Sequence, residues 1–571
     1  MEETDHLALD SNQIGAVPII NVFLRRLGLL DLLNEHVISR KNQKLSHAQA
    51  IGLFVRNILM EREPLYKLCE WAAAFDPYLV GLSEVEPSAL NDDRVGRSLD
   101  ALFNADRASL MTRIVLKAVD EFAIDLSQLH NDSTTVTVHG EYKAKGSARN
   151  AKPPVTLTYG HNKDYRPDLK QLLFTLTVSR DGAVPVHYKS YDGNTTDDKT
   201  HIQTWEALRR LTGRSDFIYV ADTKLCTREQ MDYISREGGR FITVMPESRK
   251  ECSWFYDWYR THGVKWSGLL KRPDPRRPHT REQKYWGYES PIPSKEGYRI
   301  IWILSSQKQE QDAQSRQRRI EKTIHQLDAL KQKVGTRQWK TKGQIEKAVE
   351  TIVNKHRSAC WIEWKTVSEN IVTYKQKGMG RPGKNTQYAK MTKEAWTFEA
   401  MPDEAKIRSD AEIDGMFPLM TNITTKELSM KQILLKYKFQ PYIEKRHQQF
   451  KSVFKVAPVY LKTPHRIEAL MFIYFVVLLL NALIERELRM SMRKQEIQTL
   501  PLYPEKRKCK YPTTQRIIDL FSNQRRHTLY SGKEEVKIFH DNLSDIQYEV
   551  LMLLGVSNSY YESNGRKIKS P

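Results

Sequence analysis

The order of strands and helices between residues 125 and 246 constrains the fold of this chain more than any other feature. Runs of β-branched and apolar residues predict three strands joined by short turns such as Arg180-Asp-Gly182. A helix, a strand, a second helix and a fifth strand are predicted to follow. The predicted strands are Leu129–His139, Leu172–Ser179, Val184–Tyr191, Phe217–Ala221 and Phe241–Met245, and the predicted helices are Thr200–Leu211 and Arg228–Arg236. This order predicts an α/β fold with a mixed sheet and flanking helices.

Two aspartates lie on predicted strands of this sheet. Asp132 follows an apolar approach and opens the run Asp132-Ser-Thr-Thr-Val-Thr-Val-His139, and Asp222 closes the run Asp216–Ala221. An aspartate in or at the end of a buried strand is costly unless it is paired or binds a metal. The alternative is a turn or cap, which Asp-Ser and Asp-Thr often form. The strand order predicts that the two aspartates are neighbours in space.

A third acid, Glu444, lies between Tyr437 and Lys451 at seven-residue spacing. Seven residues at 100° per residue return to within about 20° of the starting direction on a helix. One helical stripe would therefore carry a phenol, a carboxylate and an ammonium, which suits a site that cuts phosphodiesters. Pro441 predicts a break near Phe439, with the proline in the first turn of the helix that carries Glu444. Because of this break, Tyr437 is predicted to be less closely linked to the site than Lys451.

Asp132, Asp222 and Glu444 resemble the catalytic triad of bacterial insertion-sequence DDE transposases. Tyr437, Glu444 and Lys451 fall on the Tyr-(2)-Arg-(3)-Glu-(6)-Lys signature of one group of these enzymes, the superfamily named after insertion sequence four. Gln440 stands at the arginine position, and its neutral amide cannot replace a guanidinium fork, so Lys445 or Arg446 is expected to supply that charge. The resemblance extends to three further segments, Tyr159–Gln171, Gly193–Asp197 and Asp414–Asn422.

The resemblance implies a ribonuclease H-like catalytic core and a DNA transposase. Asp132, Asp222 and Glu444 would hold two Mg²⁺ ions, for which Mn²⁺ can substitute, and Tyr437 and Lys451 would contact phosphate. The enzyme would bind the terminal inverted repeats of a mobile element, cleave its ends and join them to target DNA. The implied partners are double-stranded DNA and a second copy of the chain on that DNA, in the bacterial cytoplasm at the nucleoid. The alternatives are a ribonuclease H-like nuclease without strand transfer and a catalytically inactive DNA-binding descendant.

The spacing of these features predicts five segments. More than 190 residues separate Met245 from Glu444, which indicates an insertion between two parts of the catalytic core. The predicted segments are a helical, DNA-end-binding domain at 1–125, the first part of the core at 126–246, the insertion at 247–424, the second part of the core at 425–495, and a helical tail at 496–571.

The insertion is predicted to be β-rich, with a helical hairpin between strands near Tyr298–Leu304 and Ile362–Thr373. It holds nine of the 11 tryptophans, and its segment Asn370–Lys393 has six Lys or Arg residues and no acid. Basic residues beside aromatic residues suit distorted or single-stranded DNA. The predicted DNA contacts are Lys375, Lys377, Arg381, Lys384, Trp364 and Trp396. At least one insertion tryptophan is expected to be exposed and to face the carboxylate cleft, with Trp361, Trp364 and Trp396 as the candidates. The alternative is that the tryptophans only form the core of the insertion.

Composition adds limits on partners. Ninety Lys and Arg against 69 Asp and Glu leave a net charge of +21, which favours a polyanionic partner such as nucleic acid. The five cysteines form no Cys-x-x-Cys pair, so neither a zinc knuckle nor a disulfide framework is expected. The chain has no phosphate-binding Gly-Lys-Ser/Thr loop, so no nucleotide cofactor is implied.

Three more predictions concern single segments. The acidic N-terminus lacks an apolar signal core. The apolar stretch Ala469–Leu480 is too short to span a membrane and predicts a buried helix, so no membrane partner is expected. His447 is predicted to be an ordinary surface histidine, and Glu485 and Glu487 to form surface ion pairs, although either is a fallback third carboxylate.

Overall fold

A computed structural model describes residues 7–82, 89–142, 152–274, 277–336, 338–457, 459 and 461–562. The chain forms two compact units. The first unit comprises Met1–Thr243 with Leu434–Pro571, and the second comprises Val244–Ile433. The chain is mixed α/β, as the sequence predicts.

The first unit begins with a strand and seven helices. The segment is mainly helical, as predicted, apart from its first strand, and the Asn91 side chain caps the sixth helix by accepting a hydrogen bond from Arg94 N. Ser46 and Gln49 form a reciprocal capping box at the start of the third helix. The elements are β1 (Leu7–Gln13), α1 (Val17–Arg26), α2 (Leu29–His36), α3 (His47–Met60), α4 (Leu68–Ala73), α5 (Pro77–Val80), α6 (Asp92–Asn104) and α7 (Arg107–Phe122).

The predicted sheet of the first unit is present. Its elements are β2 (Gln128–Val138), β3 (Lys170–Ser179), β4 (Pro185–Tyr191), α8 (His201–Thr212), β5 (Ile218–Val220), α9 (Arg228–Arg236) and β6 (Arg240–Val244). The strand order is β4-β3-β2-β5-β6. β2, β3 and β4 pair antiparallel, whereas β5 pairs parallel to both β2 and β6, so the sheet is mixed.

The second unit contains four antiparallel strands in the order β12-β9-β8-β7, and a separate two-stranded ribbon of β10 and β11. The helical hairpin is also present, and its apolar stripes meet in one cluster that includes Ile320, Leu327, Ile345 and Val349. The elements are α10 (Lys250–His262), β7 (Ser267–Asp274), β8 (Arg277–Glu289), β9 (Arg299–Ser305), α11 (Ser306–Lys331), α12 (Lys342–Lys355), β10 (Ile362–Gln376), β11 (Tyr388–Pro402), α13 (Glu404–Ala411) and β12 (Met416–Thr421).

Three helices follow in chain order: α14 (Met430–Tyr437), α15 (Gln440–Gln448) and α16 (Pro464–Lys494). α16 is long and apolar enough to cross a membrane by length and composition, but 94% of its apolar window is buried inside the protein. The predicted buried helix is therefore present and is longer than the apolar stretch that indicated it. Such burial is typical of the core helix of a folded domain.

The C-terminal segment, predicted to be a helical tail, also contains a β-hairpin. Its helices are α17 (Thr514–Phe521), α18 (Asp545–Leu554) and α19 (Ser559–Glu562), and between α17 and α18 lies the hairpin of β13 (Arg525–Ser531) and β14 (Glu534–His540). β13 pairs with β1 from the other end of the chain. The sequence did not indicate this sheet, because its polar strands carry little hydrophobic alternation.

Candidate active site

Asp132 lies within β2, and Asp222 lies two residues beyond the end of β5, the parallel neighbour of β2. β2 and β5 pair with His130 opposite Val220. The charge of Asp222 acts on the Asp132 carboxyl group, in agreement with the predicted proximity of the two aspartates.

The Asp132 carboxyl group is largely withdrawn from solvent, with 21% of its side chain exposed. Its Oδ1 accepts a hydrogen bond of 2.8 Å from Ser133 N. Burial raises the pKa of Asp132 to about 7, the charge of Lys163 opposes this rise, and the charges of Asp222 and Asp197 add to it. A buried carboxyl group whose pKa is raised by burial and by neighbouring acids would be stabilised in its ionised form by a bound cation.

Two hydrogen bonds hold Asp222 in place, one to its side chain and one to its backbone carbonyl. Its side chain accepts a hydrogen bond of 3.0 Å from Lys224 N, and its carbonyl accepts one of 2.6 Å from Thr243 Oγ1. The aspartate therefore caps a short turn as well as ending a strand. The turn-cap alternative and the strand-end prediction both describe this residue.

Lys163 is a site residue that the sequence did not single out. Its Nζ donates hydrogen bonds to Ser133 O (2.8 Å) and Ser133 Oγ (2.7 Å), and it pairs with Asp197 Oδ2 at 3.0 Å. Lys163 and Asp197 belong to two of the segments that carry the family resemblance. That membership was the available signal, but nothing in the sequence showed that the two segments meet.

Glycine allows these two segments to approach each other closely. A Cβ on Gly160 would lie 2.2 Å from Gly193 O, and a Cβ on Gly193 would lie 2.1 Å from Gln171 O. Any side chain at either position would collide with backbone. The approach brings Lys163 and Asp197 together beside β2.

Glu444 lies on α15, and the predicted break before this helix is confirmed. α14 ends at Tyr437 and α15 begins at Gln440, with Pro441 in its first turn. The Glu444 side chain is exposed. Proline tolerates this position because the first-turn N–H groups have no intrahelical acceptor.

Tyr437 lies among the three acids despite the break. Burial raises the pKa of its phenol to about 12, and the charges of Asp222, Glu444 and Asp132 add to this rise. The phenol therefore stays protonated and can donate a hydrogen bond at neutral pH. The charges of all three carboxylates act on Tyr437, and the predicted ranking of Tyr437 below Lys451 stays a prediction.

Lys451 follows α15 in a single π-helical turn, Gln449–Val453. Its Nζ donates a 2.5 Å hydrogen bond to Asp164 Oδ1, so Lys451 is half-buried in an ion pair with the Tyr159–Gln171 segment. Its role as a phosphate contact stays a prediction.

Gln440 supports β2. Its Oε1 accepts a hydrogen bond of 2.8 Å from His130 Nδ1, and its Nε2 donates to Asn131 O at 3.1 Å. Gln440 is buried, so the residue at the signature arginine position braces the strand that carries Asp132.

Arg446 does not supply the missing charge. Its guanidinium is buried, pairs with Glu485 Oε2 at 2.8 Å and donates to the carbonyls of Gly182 and Ala183. The prediction that Arg446 replaces the signature arginine is wrong because these partners occupy its donors. Lys445 is exposed and lies 5.0 Å from the centre of the Tyr442 ring.

Glu485 cannot serve as the third carboxylate of the site, because Arg446 and Gln449 occupy its side chain. It lies in the buried ion pair with Arg446 and also accepts a hydrogen bond of 3.1 Å from Gln449 Nε2. The sequence predicted a surface ion pair here, which is wrong because this face of α16 packs in the core of the first unit. Glu487 is more exposed and pairs with Arg486 at 2.8 Å.

His447 is buried beside the site, so its prediction as a surface histidine is wrong. Its Nε2 lies 3.7 Å from Asp132 Oδ2. Burial lowers the pKa of His447 to about 3, and the charges of Lys163 and Lys451 lower it further. The imidazole is therefore neutral beside Asp132.

The acids fit a divalent cation in part. Asp132 and Asp222 provide hard oxygen ligands with an excess of negative charge, which suits Mg²⁺. Within the residues that the structure describes, no group of three or more His, Cys, Asp or Glu side chains is placed to hold a metal ion. Metal binding by the complete set with Glu444 therefore stays a prediction.

The predicted DNA contacts of the insertion fall into two groups. Lys375, Lys377, Arg381 and Lys384 are exposed at the far end of the β10–β11 ribbon. Trp364 and Trp396 are half-buried against the cluster of the helical hairpin, as is Trp361, whose Nε1 donates to Asp410 Oδ2 at 2.8 Å. Trp254 is the most exposed insertion tryptophan at 36%, and it stacks on Trp258. The tryptophans named from the sequence thus have a packing role, and their contact with DNA stays a prediction.

Comparison with known proteins gives one family match and distant structural likenesses. Residues 9–116 match a family described as a domain of unknown function (DUF4277). No curated protein matches the chain. The chain is similar to a piggyBac transposase synaptic complex with hairpin DNA, at 9% identity and a TM-score of 0.37, over 88% of this chain and 79% of that one. It is also similar to the Mos1 transposase paired-end complex with the left transposon end, at 11% identity and a TM-score of 0.14, over 36% of this chain and 60% of that one.

Proposed function

We propose that this protein is a DNA transposase of the DDE type with a ribonuclease H-like core. The observation that carries the proposal is the placement of Asp132 on β2 and of Asp222 just beyond the adjacent strand β5, with the charges of both aspartates and of Glu444 acting on Tyr437. The segments that resemble insertion-sequence transposases supply the cation beside this acid pair, Lys163. A basic chain with a net charge of +21 suits a DNA substrate.

The side chains have distinct roles in this proposal. Asp132, Asp222 and Glu444 would hold Mg²⁺, which supplies a Lewis acid for the phosphate and activates the attacking oxygen when bound. The Tyr437 phenol donates a hydrogen bond to a phosphate oxygen, because it remains protonated. Lys163 and Lys451 offset negative charge at the same edge of the sheet, where both act on His447. His447 stays neutral and fills the space behind Asp132.

Nicking of supercoiled plasmid in Mg²⁺ or Mn²⁺ tests the chemistry. The wild-type protein should nick, and Asp132→Asn, Asp222→Asn and Glu444→Gln should each lower the rate at least 100-fold while retaining DNA binding. Asp168→Asn is the matched control, because Asp168 is an exposed acid paired with Arg166. Nicking by Asp132→Asn at the wild-type rate would exclude the proposed site.

Strand transfer separates a transposase from a nuclease. Duplexes enriched by binding from a random library provide candidate ends, and pre-cut versions with a free 3′-hydroxyl are incubated with plasmid. Covalent joining to the plasmid is expected. Cleavage without any joining would favour the nuclease alternative, and binding without cleavage would favour the inactive descendant.

A further inference from the structure

The β10–β11 ribbon extends well beyond the layer that supports it. At its base, Trp364, Trp396 and Phe398 pack against the cluster of α11 and α12. Beyond the cross-strand pair of Ser368 with Trp396, almost every residue of both strands is exposed. We call residues 370–393 the distal arm. An isolated two-stranded ribbon is marginally stable in water. A partner that binds the distal arm would therefore stabilise it.

The surface of the distal arm combines positive charge with exposed apolar side chains. Its six cations, Lys375, Lys377, Arg381, Lys384, Lys390 and Lys393, have no acidic neighbour within the arm. No ion pair to any of them is present in the described part of the chain. Ile371, Val372, Tyr374, Tyr388 and Met391 are 42–66% exposed. Apolar groups flanked by unpaired cations match a polyanion that also offers apolar surface, as duplex DNA does.

The tip of the distal arm is a closed turn that presents a methionine. Lys377 N donates to Gln387 O at 2.9 Å, and Gly383 N donates to Thr386 Oγ1 at 2.7 Å, which close the turn. Gln376 Nε2 donates to Gly380 O at 3.0 Å, which anchors the segment after Met379. Met379 lies between two glycines and is fully exposed, at 106% of the reference value. A large apolar side chain is therefore carried at the most distant point of a basic ribbon.

We infer that the distal arm is a DNA-deforming element that follows a groove of duplex DNA and inserts Met379 between two base pairs. Groove-binding proteins use apolar wedges, methionine among them, to unstack base steps and kink the duplex. The strand residues 370–376 span roughly 23 Å at about 3.3 Å per residue. One turn of duplex DNA is about 34 Å long, so the strand is longer than half a turn of the duplex. The cations of the arm then lie along the flanking phosphates. This inference rests on the proposed function only in taking DNA as the substrate.

Bending of a 40-bp duplex labelled with a fluorophore pair at its ends tests the inference, with a 2-aminopurine series to detect unstacking. Wild-type protein should raise energy transfer and 2-aminopurine emission at one step. Met379→Ser should bind within threefold of the wild-type affinity and lose most of both signals. Met401→Ser is the matched control, since Met401 is exposed at the base of the same ribbon; it should behave as wild type.

A truncated arm tests the contribution of the cations. Residues 371–393 are replaced by Asn-Gly, which joins the paired residues Asn370 and Glu394 by a two-residue turn. The packed base of the ribbon is retained, and an unchanged thermal midpoint checks the fold. The dependence of log K on log salt should become shallower by about 0.9 for each lost phosphate contact, or about 5 if all six cations of the arm contact phosphate.

The outcomes distinguish this inference from the proposed function. Equal bending by wild type, Met379→Ser and the truncated protein would overturn the arm while plasmid nicking remained intact. Absence of bending by the wild type, or a preference for single-stranded over duplex DNA that the truncation removes, would also overturn it. Bending by a protein that never nicks DNA would support the arm and count against the transposase.

Discussion

At the scale of single residues, Asp132 shows how a site can oppose stability. Its pKa is raised from about 3.9 in an unfolded chain to about 7 in the fold, chiefly by burial. Folding therefore costs free energy when the carboxyl group is ionised. This cost is absent below about pH 4, grows as the pH rises and is complete above about pH 7.

Asp132→Asn should therefore stabilise the metal-free protein at pH 8. We expect the free energy of unfolding to rise by about 1–3 kcal/mol relative to wild type, with the difference vanishing near pH 3.5. Chemical denaturation at both pH values measures it, with Asp168→Asn as the exposed control. Added Mg²⁺ should then stabilise the wild type more than the variant, because a ligand that binds only the native state stabilises it. A variant less stable than wild type at pH 8 would contradict this account of Asp132.

At the scale of elements, α15 and α16 are joined by a buried polar contact. Arg446 and Glu485 have side chains 4% and 3% exposed, and the guanidinium also caps the carbonyls of the β3–β4 turn. This contact holds the helix that carries Glu444 against the core helix and the sheet.

Removing one member of this pair should destabilise the fold strongly. Glu485→Gln leaves a buried guanidinium without its counter-charge, and we expect a loss of about 3–5 kcal/mol in the free energy of unfolding. Glu487→Gln, two residues further along the same helix, removes a more exposed ion pair and should cost at most about 1 kcal/mol. Thermal and denaturant unfolding compare the two variants. Equal effects would show that Arg446 finds another partner.

At the scale of the whole molecule, buried histidines make the fold sensitive to acid. Burial lowers the pKa of four of them, His47, His130, His187 and His201, to about 4, and that of His447 to about 3. A lowered histidine pKa means that the folded state prefers the neutral ring. The resulting stability is complete above about pH 6.5 and is lost as the pH falls towards 4.

We therefore expect the thermal midpoint to fall steeply between pH 7 and pH 5. Each histidine with a folded pKa of about 4 should cost about 2 kcal/mol at pH 5, and protonation of Asp132 should offset about one of them. His187→Phe removes one buried, titratable imidazole from β4 and should therefore make the fall of the thermal midpoint with pH less steep. A substitution of the exposed His262 should leave the steepness unchanged. A flat profile from pH 7 to 5 would contradict the burial of these rings as neutral groups.

Much of the site's framework could be predicted from sequence because it depends on local preferences. The order of the predicted strands placed Asp132 on one strand and Asp222 at the end of its neighbour, and the missing N–H of Pro441 predicted the helix break. Apolar stripes at helical spacing predicted the α11–α12 hairpin, since 3.6-residue periodicity determines which face is buried. These features require only neighbours within a few residues.

The sequence by itself therefore determined the order of strands and helices between residues 125 and 246, the helical hairpin, and the positions of Asp132 and Asp222 in and just after neighbouring strands. Only the tertiary structure decided which partners the charged side chains have. Arg446 pairs with Glu485, Lys451 pairs with Asp164, and Lys163 pairs with Asp197 and donates a hydrogen bond to the Ser133 carbonyl. The tertiary structure also buried His447 and turned Gln440 into a brace for β2. The physical reason is that the exposure and partner of a charged side chain depend on residues tens to hundreds of positions away, which no local spacing encodes.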